Sequence, residues 1–109
     1  MPTAHRPSVA TRRALRKLGE DIGNARRRRQ LTMEILAERA FTTRQTLQKV
    51  EAGDPMVAMG IYAAVLQALG LLDGLGNLAA PGQDEVGLSL ADEALPKRVR
   101  LRVRSTPNA

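Results

Sequence analysis

The sequence has no cysteine and no tryptophan, one histidine, and only two aromatic residues, Phe41 and Tyr62, in 109 positions. Without cysteine there is no disulfide framework, no thiolate metal ligand and no thiol nucleophile. The single histidine, His5, lies in a stretch without periodicity, which leaves no histidine-based triad and no multi-histidine metal site. No apolar run approaches the roughly 18 residues that a membrane span needs. The first residues lack the apolar core of a signal peptide, so a cytoplasmic chain with no membrane partner is expected. No metal and no cofactor are expected either. This length fits one small domain with some loose tail, and its core is thin enough that a dimer or an obligate partner is plausible. A non-catalytic binding protein is the expected class, and an enzyme is expected least, for want of a nucleophile–base set.

Another scarcity is local. Residues 53–95 contain no Lys or Arg, but six acidic side chains. Residues 1–30 hold nine basic and two acidic side chains, residues 31–52 hold three of each, and residues 96–109 hold five basic and none acidic. The formal net charge of +6 therefore divides into two basic ends around an acidic second half. Basic segments attract phosphate by displacing counterions and acidic ones repel it, so a polyanion is expected to meet the first half, the tail, or both. The acidic segment is then expected to face a dimer mate or another protein.

Residues 1–11, with Pro2, His5, Pro7 and Ser8, read as a disordered arm. From Thr11 a helical pattern begins, with Leu15, Leu18, Ile22 and Ala25 on one face, weakened but not broken by Gly19 and Gly23. It runs into Arg26 to Arg29, cations that suit a helix C-terminus. Thr32 is a good N-cap for a short helix from Met33 to Ala40, with Leu36, Ala37 and Ala40 inward. After Phe41 and Thr42, Thr43 caps a second short helix from Arg44 to Ala52, with Leu47 and Val50 inward and Gly53 as its stop. A third apolar helix covers about Ala58 to Leu69 and ends at Gly70. Leu71 to Ala79 fits one more short helix, and a helix from about Asp84 is weakly signalled. From Leu95 to Arg104 apolar and basic residues alternate strictly; a strand in a partner's sheet, a basic tail on a polyanion and plain disorder all fit.

Two short helices around a three-residue turn, roughly residues 33–52, have the layout of a helix-turn-helix. In that arrangement the first helix crosses the phosphate backbone and the second lies in the major groove. The outward residues of the second helix are Arg44, Gln45, Gln48 and Lys49, and Arg and Gln are the side chains that read G and A bidentately. An ordinary pair of amphipathic helices with polar outer faces gives the same pattern without DNA.

Leu36-Ala37-Glu38-Arg39-Ala40 followed by Thr43 to Gly53 resembles the Xre/Cro-type helix-turn-helix of phage-repressor-like proteins over about residues 18–70. Glu51-Ala52-Gly53-Asp54-Pro55, Gly60, Tyr62, Val65-Leu66 and Ala68-Leu69-Gly70-Leu71 are similar to HipB-like antitoxins, the partners of HipA-like kinase toxins, as is Leu95-Pro96-Lys97-Arg98-Val99-Arg100. The resemblance implies an all-α, compact five-helix domain over residues 12–80, with a disordered arm (1–11) and an acidic segment and basic C-terminal tail (81–109). It implies base reading by Arg44, Gln45 and Lys49, capping or backbone contacts from Thr43 and Thr46, and an ion pair between Arg26 and Glu51; the residues themselves add Gln48 to the base-reading face and Thr32, Arg28 and Arg29 as phosphate anchors. It further implies a homodimer through Met59, Tyr62, Leu66, Leu69 and Leu72, placing two recognition helices on palindromic double-stranded operator DNA. The expected role is a repressor of its own operon that neutralises a HipA-like kinase toxin. A stand-alone Xre-family regulator and a protein-interaction module that has lost DNA binding are the alternatives.

Three positions depart from the family pattern. Phe41 replaces the usual turn glycine, where positive φ is costly for a bulky residue; a core position is expected for it. Thr42 replaces an apolar plug, and Met33 replaces a polar phosphate ligand. Gly74-Leu75-Gly76-Asn77-Leu78-Ala79 matches a G-x-G-x-x-A string, but it follows a helix and has no βαβ unit around it, so no nucleotide site is expected. Asp84, Glu85, Asp92 and Glu93 lack a cation-loop pattern.

Overall fold

The computed structural model describes residues 6–94. The chain falls into two compact units, Met1–Leu75 and Gly76–Ala109. Among the described residues all regular structure is helical: α1 (Val9–Arg28), α2 (Met33–Arg39), α3 (Arg44–Glu51), α4 (Met59–Leu69), α5 (Leu72–Gly76) and α6 (Glu85–Ala94), with a 3₁₀ turn at Pro81–Gln83 before α6. The all-α expectation holds. Five of these helices, α1 to α5, cover residues 9–76, the first of them starting ahead of the expected domain bound at residue 12, and a sixth, the weakly signalled one, follows.

α1 begins two residues earlier than its apolar periodicity suggests. Ser8 is the N-cap, its hydroxyl accepting from the Thr11 amide at 3.1 Å. Residues 9–11 are therefore helical, which corrects the expected arm; its first five residues, with His5, lie outside the described residues, as does the alternating segment beyond Ala94. Thr32 and Thr43 cap α2 and α3 in the same way, accepting from Ile35 and Thr46 amides at 3.1 Å.

The first four helices end alike. Each is closed by a pair of backbone bonds around a residue of positive φ: Leu31 to Arg26 and Gln30 to Arg27, Thr42 to Ala37 and Phe41 to Glu38, Asp54 to Lys49 and Gly53 to Val50, Leu71 to Leu66 and Gly70 to Gln67. The left-handed residues are Gln30 (φ 55°), Phe41 (57°), Gly53 (74°) and Gly70 (79°). This double bond satisfies carbonyls the helix leaves free.

The core of the first unit is built from Ile22 and Ala25 of α1, Leu36 and Ala37 of α2, Leu47 and Val50 of α3, and Tyr62, Val65, Leu66 and Leu69 of α4, closed by Ala40. Leu36, Leu47, Val50 and Val65 are wholly buried. α3 packs on both α1 and α2, and α4 on both as well. The crossing of α1 and α3 depends on a missing side chain: a Cβ on Gly19 would lie 2.6 Å from the Glu51 carbonyl oxygen and 2.7 Å from the Gly53 amide. Tyr62 donates its hydroxyl to the Asp54 carbonyl at 2.8 Å and so ties the loop after α3 to α4. Its pKa is raised, first by burial and then by the Asp54 carboxylate. Tyr62, Leu66 and Leu69 are thus core residues of their own chain. That corrects their expected place in a dimer interface.

In the second unit α6 is capped by Asp84, whose carboxylate accepts from the Gly87 amide at 3.0 Å. No side chain of α6 is buried. Among the described residues no helix is long and apolar enough to cross a membrane.

Candidate nucleic-acid interface

α3 presents two faces. Leu47 and Val50 are buried in the core where α3 packs on α1 and α2, and this fixes the rotation of the helix about its axis. Arg44, Gln45, Gln48 and Lys49 are then left exposed on the outside. The cap at Thr43 satisfies the Thr46 amide in the first turn of α3, where Arg44 and Gln45 are both exposed. Arg44 Nη1 lies 3.4 Å from Glu34 Oε2 in the first turn of α2. The N-terminal ends of the two short helices are therefore on one side of the molecule. Both side chains of that pair are more than half exposed, and such a pair contributes little and is readily exchanged for another partner.

The threonines differ in what they have left to offer. Thr32 uses its oxygen as a cap acceptor and keeps its hydroxyl proton free. Thr43 donates its proton to Thr46 Oγ1 at 3.0 Å, so the free donor of that pair is Thr46. Met33 is half-buried against the core, which leaves it no polar contact to make at the surface. Arg28 and Arg29 are exposed beside the start of α2, and Arg29 turns back to donate to the Ala25 carbonyl at 2.9 Å.

The expected ion pair is present. Arg26 Nε donates to Glu51 Oε2 at 2.7 Å and Nη2 to Oε1 at 3.2 Å, and Nη1 reaches the Leu31 carbonyl at 3.0 Å. Both side chains are only 12% exposed. One guanidinium therefore holds the end of α1, the connection to α2 and the end of α3 in one geometry, and the fork-on-fork contact suits Arg alone. The glycine at position 23 leaves room for it, since a Cβ there would stand 3.1 Å from Glu51 Oε1.

Phe41 is not a core residue. It sits at the left-handed turn between α2 and α3 with its side chain 96% exposed. The expectation of burial fails because the cap geometry dictates where its Cβ points, and that is away from the core. Thr42 is half-buried in place of an apolar plug and contributes its amide to the cap of α2. Met59 and Leu72, also expected at a dimer interface, lie at the surface, Met59 70% exposed. Among the described residues no group of three or more His, Asp or Glu is placed to hold a metal ion. The bonds that order this surface, including the Arg26 contact to Leu31 and the Thr43–Thr46 hydroxyl pair, carry no sequence signal of their own beyond residue type. No protein-family model matches the chain, and no curated protein and no solved structure matches it.

Proposed function

We propose that residues 33–52 act as a helix-turn-helix, with α3 reading DNA in the major groove, in a homodimeric repressor of its own operon that also neutralises a HipA-like kinase toxin. The observation that carries the DNA reading is the division of α3: an inward face buried completely at Leu47 and Val50, and an outward face made of Arg44, Gln45, Gln48 and Lys49. Those four are the side chains suited to base edges and phosphates, and the cap and the Arg26–Glu51 pair hold the helix that bears them. Thr32, Thr46 and Arg28 have donors free for backbone phosphates, while Thr43 serves chiefly as a cap. The test is a gel shift of the full chain on the DNA upstream of its own reading frame against random duplex. Preferential retention of the upstream DNA is expected; equal retention of both overturns sequence-specific binding. The kinase partner rests on the resemblance alone, and copurification of a kinase with the tagged chain tests it, a lone regulator being the outcome that removes it.

The exposed ring of Phe41 favours a second reading, an interaction module that does not bind DNA. No shift with either duplex at low salt is the result that selects it.

A further inference from the structure

Between its cap at Ser8 and Glu20, the first acidic residue of the chain, α1 carries Arg12, Arg13, Arg16 and Lys17. Helix physics opposes that placement. The start of a helix bears a partial positive charge that cations destabilise, and the first turn of α1 holds no acidic residue to offset it. Arg12 and Arg16 stand four residues apart, as do Arg13 and Lys17, and like charges at that spacing repel each other. Among the described residues of the first unit, only Lys17 of these four has an acidic partner, Asp21. Packing does not compensate. Val9 to Ala14 are exposed, and the burial of α1 begins only at Leu15. Arg6 lines the same open cleft as Arg12, which adds a further cation to the cluster. A helix start that repels itself and packs on nothing in its unit breaks the local rules, and such breaks mark sites of function.

We propose that the start of α1, through Arg12, Arg13 and Arg16, is a second phosphate-binding surface that holds the backbone of duplex DNA. The contact rests on the DNA reading above and extends it to residues outside the helix-turn-helix. Duplex DNA is the partner because α1 is fixed to the helix that reads it. Gly19 meets the backbone at Glu51 and Gly53, and Arg26 is forked onto Glu51, so the start of α1 keeps one position relative to α3. Arg12 and Arg28 are about 24 Å apart along the axis of α1, so the two ends of this helix serve different phosphates. A duplex offers phosphates in a continuous row, so one ligand can meet both ends. The guanidinium fork suits phosphate oxygens. Such contacts add affinity and carry no sequence information.

Binding isotherms of the full chain on the upstream and random duplexes, at several salt concentrations, test the contact. Arg12→Gln, Arg13→Gln and Arg16→Gln are combined in one variant. Gln keeps the helix propensity of Arg, so the urea midpoint is expected not to fall; should it fall, the three single variants take its place. The slope of log affinity against log salt is expected to drop by about 2.7 per bound chain for the triple variant and about 0.9 for each single one. Affinity for both duplexes is expected to drop at least about tenfold at about 0.1 M salt, with the ratio between them unchanged. Amide hydrogen exchange over residues 9–16 of the unaltered chain is expected to slow when duplex is added, since bound phosphate relieves the repulsion. An unchanged slope with the upstream preference intact, or exchange that duplex does not slow, overturns this contact and leaves the recognition helix in place; an acidic protein surface is then the partner of the arginines. A lower slope with no upstream preference supports the contact and removes sequence reading instead. No binding to either duplex at low salt overturns both.

Discussion

Phe41 occupies a backbone conformation that disfavours any side chain, yet its ring is almost wholly in solvent. A left-handed residue other than glycine costs roughly 1–2 kcal/mol. Glycine would remove that strain, less about 0.5–1 kcal/mol for the freedom it adds to the unfolded chain. No packing is lost with an exposed ring. Phe41→Gly is therefore expected to stabilise the fold by about 0.5–1 kcal/mol, as a higher urea midpoint with an unchanged slope; a lower midpoint would show that the ring packs. Tyr62 makes the opposite case, an aromatic residue whose every part is used. Its phenol pKa lies above its ordinary value of about 10, so the unfolded chain gives up its proton first. The associated stability is intact below about pH 10 and is lost as pH rises through the folded value. Tyr62→Phe is expected to cost about 1 kcal/mol at neutral pH, from the orphaned Asp54 carbonyl. It is also expected to abolish this alkaline loss in urea midpoints taken up to about pH 11.

At the scale of elements, the helices and their caps are largely legible in the sequence, and their mutual contacts are not. Thr32, Thr43, Gly53 and Gly70 announce ends because their residue types suit those positions. Gln30 and Phe41 take the same left-handed position although their residue types do not favour it, and at Phe41 only the resemblance points to a positive φ. α4 is apolar nearly all round, so periodicity does not say which of Met59, Tyr62, Leu66 and Leu69 faces inward; packing on α1 and α2 decides it. The glycines of α1 read as weaknesses in a helix, whereas they are the places where α3 approaches. Gly19→Ala gains helix propensity but drives a methyl into the backbone at Glu51 and Gly53, where two helices would have to part. It is expected to destabilise by about 1–3 kcal/mol. The same change at Gly60 in α4, where an added Cβ meets nothing within 4 Å, is expected to stabilise by about 0.5–1 kcal/mol. Urea denaturation of the two variants side by side checks the opposite signs, and two shifts of the same sign would refute the close crossing.

At the scale of the whole molecule, charge and specificity are carried by different residues. Residues 31–52 have no net charge, whereas residues 1–30 carry seven more basic than acidic side chains. On the DNA reading, non-specific attraction comes from the arginines of α1, and discrimination from the outer face of α3. The Arg44–Glu34 pair fits this division, because an exposed pair yields its guanidinium to a base edge at little cost. Arg44→Ala is then expected to lose about 1–3 kcal/mol on the preferred upstream DNA and almost nothing on random duplex. Arg28→Ala, at a position suited to phosphate, is expected to weaken both alike and to lower the slope of log affinity against log salt by about one. Binding isotherms of the two variants on both duplexes at several salt concentrations separate the roles. An equal loss on both duplexes for Arg44→Ala would move that residue to the phosphate backbone and leave Gln45, Gln48 and Lys49 to carry the discrimination. The helix would still be in the groove, but its first turn would be positioning the protein rather than reading the sequence.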